Sequence, residues 1–239
     1  MLNKIQQLIE ERTEAAHAAI RDVEEAFGDP LARRTDWTPA RRGGTRGRSR
    51  KLVQSGPDRL TFRPTVRMLL FYTVPVLAGA GLIILQPIQD IEPAWESIFG
   101  LVFVVMGLGF GYRGSTPVVV DKHLGASWTG WRAPGSAEAA RDRKNAAALA
   151  DVRAVQVIPE RLRHTESLLS YEINLVLANG SRLNLVDHSI QSVIREDAQT
   201  LGAFLDVPVW DASSFPAHEL PAAMSASAKV SGIEEPSNR

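Results

Sequence analysis

The chain has 239 residues, and its 27 lysines and arginines balance 27 aspartates and glutamates, so its formal net charge at neutral pH is zero. It contains no cysteine, which excludes a disulfide framework, a thiolate zinc site and a cysteine nucleophile. The first residues turn polar at once and lack the apolar core of a secretory signal, so we expect no cleavable signal peptide.

Residues 1–27 predict an amphipathic, coiled-coil-like helix. Apolar side chains recur every three or four positions from Leu2 to Phe27, apart from a gap around Thr13. Gly28 and Pro30 supply the stop signal. One narrow apolar stripe is typical of a coiled-coil or docking helix. The alternative is a helix that lies on the surface of its own protein.

Residues 28–65 are interpreted as a basic linker, extended or disordered. Arginine, glycine and proline dominate the segment, and no apolar periodicity is visible in it. Such a run can bind nucleic acid, or it can bind anionic lipid headgroups at about 1 kcal/mol per basic residue. The apolar sequence that follows favours the lipid, so we do not expect nucleic acid as a partner.

Residues 66–113 predict a transmembrane helical hairpin with spans at about 66–86 and 94–112. The first run is uncharged from 68 to 85 and long enough to cross a bilayer of about 30 Å. A membrane helix tolerates Pro75 as a kink. The second span carries Trp95 and Tyr112 near its ends, the residue types expected at the headgroup levels. The alternative is a helical hairpin buried in a soluble domain.

The second apolar run ends in GFGYRG, which matches the dinucleotide-binding pattern G-x-G-x-x-G at Gly109, Gly111 and Gly114. We reject a cofactor loop, because the run is too long for a typical strand and a β-branched segment, not a helix, follows the glycines. Glycines four apart instead let two helices approach closely. The predicted helix–helix packing residues are Gly107, Gly111, Gly79 and Gly81.

The positive-inside rule predicts the orientation of the hairpin. Basic residues precede the first span and follow the second, while the connector between the spans carries none. Both termini are therefore expected in the cytoplasm, and the chain is predicted to be an integral membrane protein. The basic residues expected at the membrane surface are Arg59, Arg63, Arg67 and Arg113.

Residues 115–211 predict a small antiparallel β domain closed by a C-terminal helix. PVVVD and ASWTGWR form a predicted hairpin, and DVRAVQVI is a further strand. SYEINLVLANGSRLNLVDH is a second hairpin that turns at Asn179 and Gly180. The stretch SIQSVIREDAQTLGAFL has helical periodicity. Residues 212–239, rich in alanine, serine and proline, are predicted to be disordered.

This order of elements resembles that of bacterial membrane-anchored proteins with a pleckstrin-homology-like cytoplasmic domain. The resemblance rests on PVVVDKHLGASWTGW, DVRAVQVI and SYEINLVLANGSRLNLVDH followed by a helix, directly after membrane spans. It implies a small bent sheet, no catalytic apparatus, and binding of proteins, peptides or the surface of a bacterial inner or plasma membrane. The first hairpin offers only Lys122 and His123 as basic residues, so inositol-phosphate recognition is not expected.

No catalytic, cofactor-binding or metal site is predicted, because the five histidines are scattered without ligand spacing. The candidate partner surface comprises Trp128 and Trp131 together with Arg161 and Arg163. The alternatives are that the tryptophans pack inside the sheet and that the arginines belong to a solvated loop.

The sequence thus supports the hypothesis of a non-enzymatic α+β membrane protein that acts as a membrane-anchored scaffold, binding protein or regulatory subunit. Its expected partners are a bilayer with anionic headgroups and an unidentified membrane or cytoplasmic protein, and a homo-oligomer is a further candidate. The alternatives are an oligomeric channel or transporter accessory subunit, and an enzyme with an unrecognised site.

Overall fold

The computed structural model describes residues 25–40, 47–85, 94–161 and 169–214. Of the predicted N-terminal helix, only residues 25–27 lie in this part, and they are helical. Nearly all of the predicted C-terminal tail and the connector between the apolar helices lie outside the described residues.

The described helices are α1 (Pro30–Arg34), α2 (Val66–Leu85), α3 (Ala94–Gly114), α4 (Ala137–Arg141) and α5 (Gln191–Leu205). The described strands are β1 (Arg50–Gly56), β2 (Arg59–Pro64), β3 (Val118–Asp121), β4 (Ala126–Thr129), β5 (Ala146–Ala148), β6 (Val152–Arg161), β7 (Leu169–Leu177), β8 (Arg182–His188) and β9 (Val209–Asp211).

The strands form two sheets around one core. The first sheet has the order β1-β2-β3-β4-β5 and is antiparallel throughout. The second has the order β8-β7-β6-β9, and only β9 runs parallel to its neighbour. Helix α5 packs on the same core, and the α+β class with antiparallel sheets is as predicted. The core is built from both sheets and this helix, through side chains such as Phe62, Val120, Val157, Ile173, Ile194 and Leu201.

The helical hairpin is inserted into the first sheet. Strand β2 ends at Pro64 and α2 begins at Val66, while α3 ends at Gly114 and β3 begins at Val118. Strands β2 and β3 then pair with each other, with Phe62 opposite Val118. The predicted domain boundary at residue 115 is therefore corrected, because the β domain takes strands from both sides of the hairpin.

The structure also corrects the interpretation of residues 28–65 as a linker. They contain α1 and the β1–β2 hairpin, which forms two strands of the five-stranded sheet. Leu60 and Phe62 point into the core and are 4 % and 0 % exposed. Arg59 and Arg63, which flank this inward-facing stretch of β2, occupy exposed positions.

The segment 27–40 lies against the outer face of the second sheet, and we call it the strap. Trp37 of the strap is 2 % exposed and stacks on Phe27 at 5.2 Å between ring centroids. Its ring lies 6.1 Å from that of Trp210 in β9. The strap covers apolar residues of the sheet, so this sheet is buried on both faces. Because both faces of the sheet are covered, the side chains at consecutive positions of β7 are buried.

Three residues of the strap form polar contacts with side chains of the sheet. The Arg182 guanidinium donates to the Thr38 carbonyl at 2.7 Å and forms an ion pair with Asp36 at 3.1 Å. The Glu172 carboxylate accepts from the backbone N–H of Ala40 at 3.0 Å. Burial lowers the pKa of Arg182, and the nearby carboxylates of Asp36 and Glu172 oppose that change. These bonds fix the strap on the sheet at defined positions.

Candidate membrane interface

Helices α2 and α3 are long and apolar enough to cross a membrane. Only 6 % of the apolar part of α2 and 11 % of that of α3 is buried in the structure. Large side chains such as Phe71 and Leu77 are 66 % and 69 % exposed. In a hairpin buried inside a soluble domain, most of the apolar side chains would be covered by protein. Their exposure here argues against the alternative of a buried hairpin. An exposed apolar surface of this extent is typical of a region that contacts lipid or protein.

The two helices meet along a line of glycines. A Cβ on Gly79 would lie 2.9 Å from the Cβ of Phe103, and a Cβ on Gly107 would lie 2.6 Å from Cγ2 of Val76. Gly100 is equally close, because a Cβ there would lie 2.8 Å from Cγ1 of Ile83. These three glycines let the helix backbones approach more closely than any side chain allows.

The other two predicted packing glycines are placed differently. A Cβ on Gly111 would meet the Cβ of Tyr72 at 3.5 Å, an ordinary contact distance. A Cβ on Gly81 would meet nothing within 4 Å, so Gly81 does not contribute to the contact. Gly100, which stands seven residues before Gly107, was not among the predicted packing residues. A seven-residue spacing keeps two positions on one face of a helix and is a signal that a search for G-x-x-x-G overlooks.

Basic side chains surround the end of the β domain from which the helices leave. Arg63 and Lys51 are directly opposite each other on β2 and β1, and both are exposed. Arg67 lies in the first turn of α2 and Arg113 in the last turn of α3, and both are exposed as well. We call Lys51, Arg63, Arg67 and Arg113 the basic rim. It contains three of the four arginines that were predicted for the membrane surface.

Arg59, the fourth predicted arginine, is not part of the basic rim. It begins the six-residue strand β2, whose other end joins the helix, so the two ends lie about 16 Å apart. Its guanidinium forms an ion pair with Asp121, which is 3 % exposed. Burial raises the pKa of the Asp121 carboxyl, but the Leu124 backbone N–H and Arg59 together outweigh it and lower the pKa below its ordinary value.

The predicted partner surface is not one surface. Trp128 is 5 % exposed and packs with Ala140 of α4, so it is a buried residue. Trp131 is 55 % exposed and stacks on Tyr112 of α3, with 6.2 Å between the ring centroids. Arg161 ends β6, and its side chain is not described; Arg163 lies outside the described residues. Only Trp131 is therefore placed beside the helical hairpin.

His188 is fully buried at the end of β8. Arg48 and His188 form a backbone bridge between the segment before β1 and the end of β8. The His188 ring lies 3.5 Å from the Asp197 carboxylate of α5, and Arg48 lies 3.7 Å from the same carboxylate. Within the described ranges, no three histidine, aspartate or glutamate side chains are grouped so as to hold a metal ion.

The sequence matches no protein-family model and no curated protein. The class of protein that the fold defines is an α+β domain with antiparallel sheets, interrupted by two apolar helices that are long enough to cross a membrane.

Proposed function

We propose that the chain is an integral membrane protein whose two helices span a bilayer and whose β domain lies on the cytoplasmic surface. There it acts as a non-enzymatic scaffold, binding protein or regulatory subunit. The observation that carries the proposal is the pairing of β2 with β3 across the helical hairpin. Strands on either side of the hairpin can pair only if both are on the same side of the membrane, so an even number of spans is required.

The distribution of charge supports the cytoplasmic side. The basic rim surrounds the point where the helices leave the domain, and Lys and Arg are enriched on the cytoplasmic side of membrane helices. Anionic headgroups attract such residues by about 1 kcal/mol each within a Debye length. The stacked rings of Tyr112 and Trp131 also support a membrane surface at the level of the basic rim, because amphipathic aromatic rings favour the headgroup region.

The arrangement of the two sheets supports a binding role. We propose that residues 48–211, without the hairpin, form a pleckstrin-homology-like domain, with two antiparallel sheets and a closing helix α5 around one core. In this proposal the domain is split by its membrane anchor rather than following it. Exposed surfaces of the domain would then be held at a fixed height above the lipid, available to a membrane or cytoplasmic partner.

A topology map tests the proposal directly. Single cysteines are introduced into the cysteine-free chain as Gln89→Cys, in the connector between the helices, and Asp142→Cys, an exposed position of the β domain. In intact cells, an impermeant maleimide is expected to label position 89 and not position 142. After lysis, both positions should react. Labelling of position 142 in intact cells would overturn the orientation, and release of the protein by alkaline carbonate would overturn membrane insertion.

The alternative of an oligomeric membrane subunit is favoured by one observation. An apolar groove of about 510 Å³ lies between α2 and α3. It is lined by residues that include Leu69, Val76, Gly107 and Leu108. A second copy of the hairpin could occupy it. Leu108→Cys would then form a disulfide between copies in the membrane, whereas Phe110→Cys, equally exposed but outside the groove, would not.

A further inference from the structure

A polar cleft of about 340 Å³ opens between β5 of the first sheet and the β7–β8 turn of the second. Four cationic side chains line it, and Asp151 is the one acid among the lining residues. The cationic residues are Arg141, Arg143, Lys144 and Arg182. The cleft is thus electropositive, although the whole chain is neutral.

Two of the four cations are already paired. Arg141 binds the Asp151 carboxylate through two nitrogens, at 2.6 and 3.0 Å. Arg182 is paired with Asp36 of the strap. Each of these charges is therefore compensated before any ligand is present.

The other two cations are not compensated. Arg143 donates to the backbone carbonyl of Arg132 at 3.3 Å, and a carbonyl carries no charge. Lys144 is exposed, and neither residue forms an ion pair with an acid in the part of the chain that the structure describes. The cleft therefore has two adjacent positive charges in excess. That excess matches the charge of a phosphate monoester.

Hydrogen bonds join the segment that carries the excess charge to residues near the end of α3. Thr129, which is opposite Val118 in the sheet, donates its backbone N–H to the Asn145 carbonyl at 2.8 Å. Arg143 bonds to Arg132, the neighbour of Trp131, and Trp131 stacks on Tyr112 at the end of α3. Residues 143–145 are therefore held close to the level at which α3 enters the β domain.

We propose that this cleft binds a phosphate group, with Arg143 and Lys144 as the residues that contact it. A guanidinium beside an ammonium is a common phosphate-binding pair, since the first donates in a fixed plane and the second acts as a mobile point charge. The phosphate belongs either to the headgroup of an anionic lipid or to a soluble molecule. The lipid source rests on the proposed membrane location, while the phosphate chemistry does not.

Calorimetry on the full-length protein in a neutral detergent tests the proposal. The titrants are inorganic phosphate and a short-chain phosphatidic acid, each with the wild type and with two double variants. The variant R143Q/K144Q removes the two uncompensated charges. The variant K122Q/R153Q removes the same charge from exposed positions outside the cleft. Melting temperatures of both variants are measured first, to show that both remain folded.

We expect R143Q/K144Q to weaken binding at least about tenfold, because it removes both charge-assisted hydrogen bonds to the phosphate. K122Q/R153Q should change affinity less than about twofold, since neither residue lines the cleft and each can act on a bound phosphate only through long-range attraction that salt screens. If inorganic phosphate shows this pattern, the site takes free phosphate groups; if only phosphatidic acid does, the source is a lipid. Binding of neither titrant, or equal losses in the two variants, would overturn the proposal. That failure would leave the topology map unaffected.

Discussion

Phe62 and Val118 lie opposite each other in adjacent antiparallel strands, although the whole helical hairpin stands between them in the sequence. Both side chains point into the core and are almost fully buried. The same core that stabilises the β domain therefore holds the entry and the exit of the hairpin together. The hairpin is attached at two neighbouring strands and not by a flexible linker.

The pairing across the hairpin predicts a disulfide. Arg59 and Asp121 are directly opposite each other on β2 and β3, within the Cα separation that a disulfide requires. In the cysteine-free chain, R59C/D121C should oxidise readily. If a protease site is placed in the connector 86–93, the two fragments should stay together on a non-reducing gel after cleavage. The pair R59C/E138C, which joins residues of elements that are not paired in the sheet, is the control and should separate.

Two glycines of α2 should respond in opposite directions to the same substitution. Gly79→Ala places a methyl group against Phe103 and the backbone of α3, and overpacking of this kind costs about 1–3 kcal/mol. Gly81→Ala meets open space and gains helix propensity, up to about 1 kcal/mol. Thermal unfolding in detergent should thus show a lower melting temperature for Gly79→Ala only. Equal effects at the two positions would contradict the glycine contact between the helices.

Substitution of Trp37 should destabilise the domain as much as a change in its core. The ring is buried between Phe27 and Trp210, so Trp37→Ala is expected to lower the free energy of unfolding by about 3–5 kcal/mol. Trp131→Ala removes an exposed ring with one stacking partner and should cost about 1 kcal/mol. Urea titration in detergent measures both. A Trp37→Ala protein as stable as the wild type would restore the interpretation of this segment as a linker.

Asp121 predicts a pH dependence of stability. Its pKa is lowered in the folded protein, so its contribution to stability is present above the unfolded value of about 3.9 and is lost as the pH falls through the folded value. Asp121→Asn should therefore lower the melting temperature at pH 7 and reduce the further decrease on acidification. The control Asp142→Asn changes an exposed carboxyl of α4's C-terminal end and should behave like the wild type. Parallel pH curves for Asp121→Asn and the wild type would contradict this account.

The parts of the fold that could be predicted from sequence are those with a strong local signal. Helices α2 and α3 are continuous apolar runs, and the β7–β8 hairpin turns at Asn179 and Gly180, where a positive φ at Gly180 is observed. The β1–β2 hairpin could not be found in the same way. Its inward positions are few, and the arginines around Leu60 and Phe62 dilute the period-two pattern.

The remaining errors come from contacts between residues that are distant in sequence. The strap is ordered because Trp37 meets Trp210 and Asp36 meets Arg182, and neither partner is visible from the strap's own sequence. Arg59 is close to the first apolar helix in sequence, yet the strand between them places it at the other end of the sheet. The cationic cleft joins side chains from α4, the segment after it and β8, so no short motif marks it.

If the hairpin spans a membrane, its position between β2 and β3 makes the folding of the β domain depend on correct membrane insertion. During synthesis β2 emerges first and cannot complete its core, because its neighbour β3 is made only after both helices. If one helix alone crossed the bilayer, the two strands would be separated by it, and Leu60 and Phe62 would remain uncovered. Quality-control proteases that act on unfolded segments would then remove a wrongly inserted chain, while a correctly inserted one closes its sheet and becomes resistant.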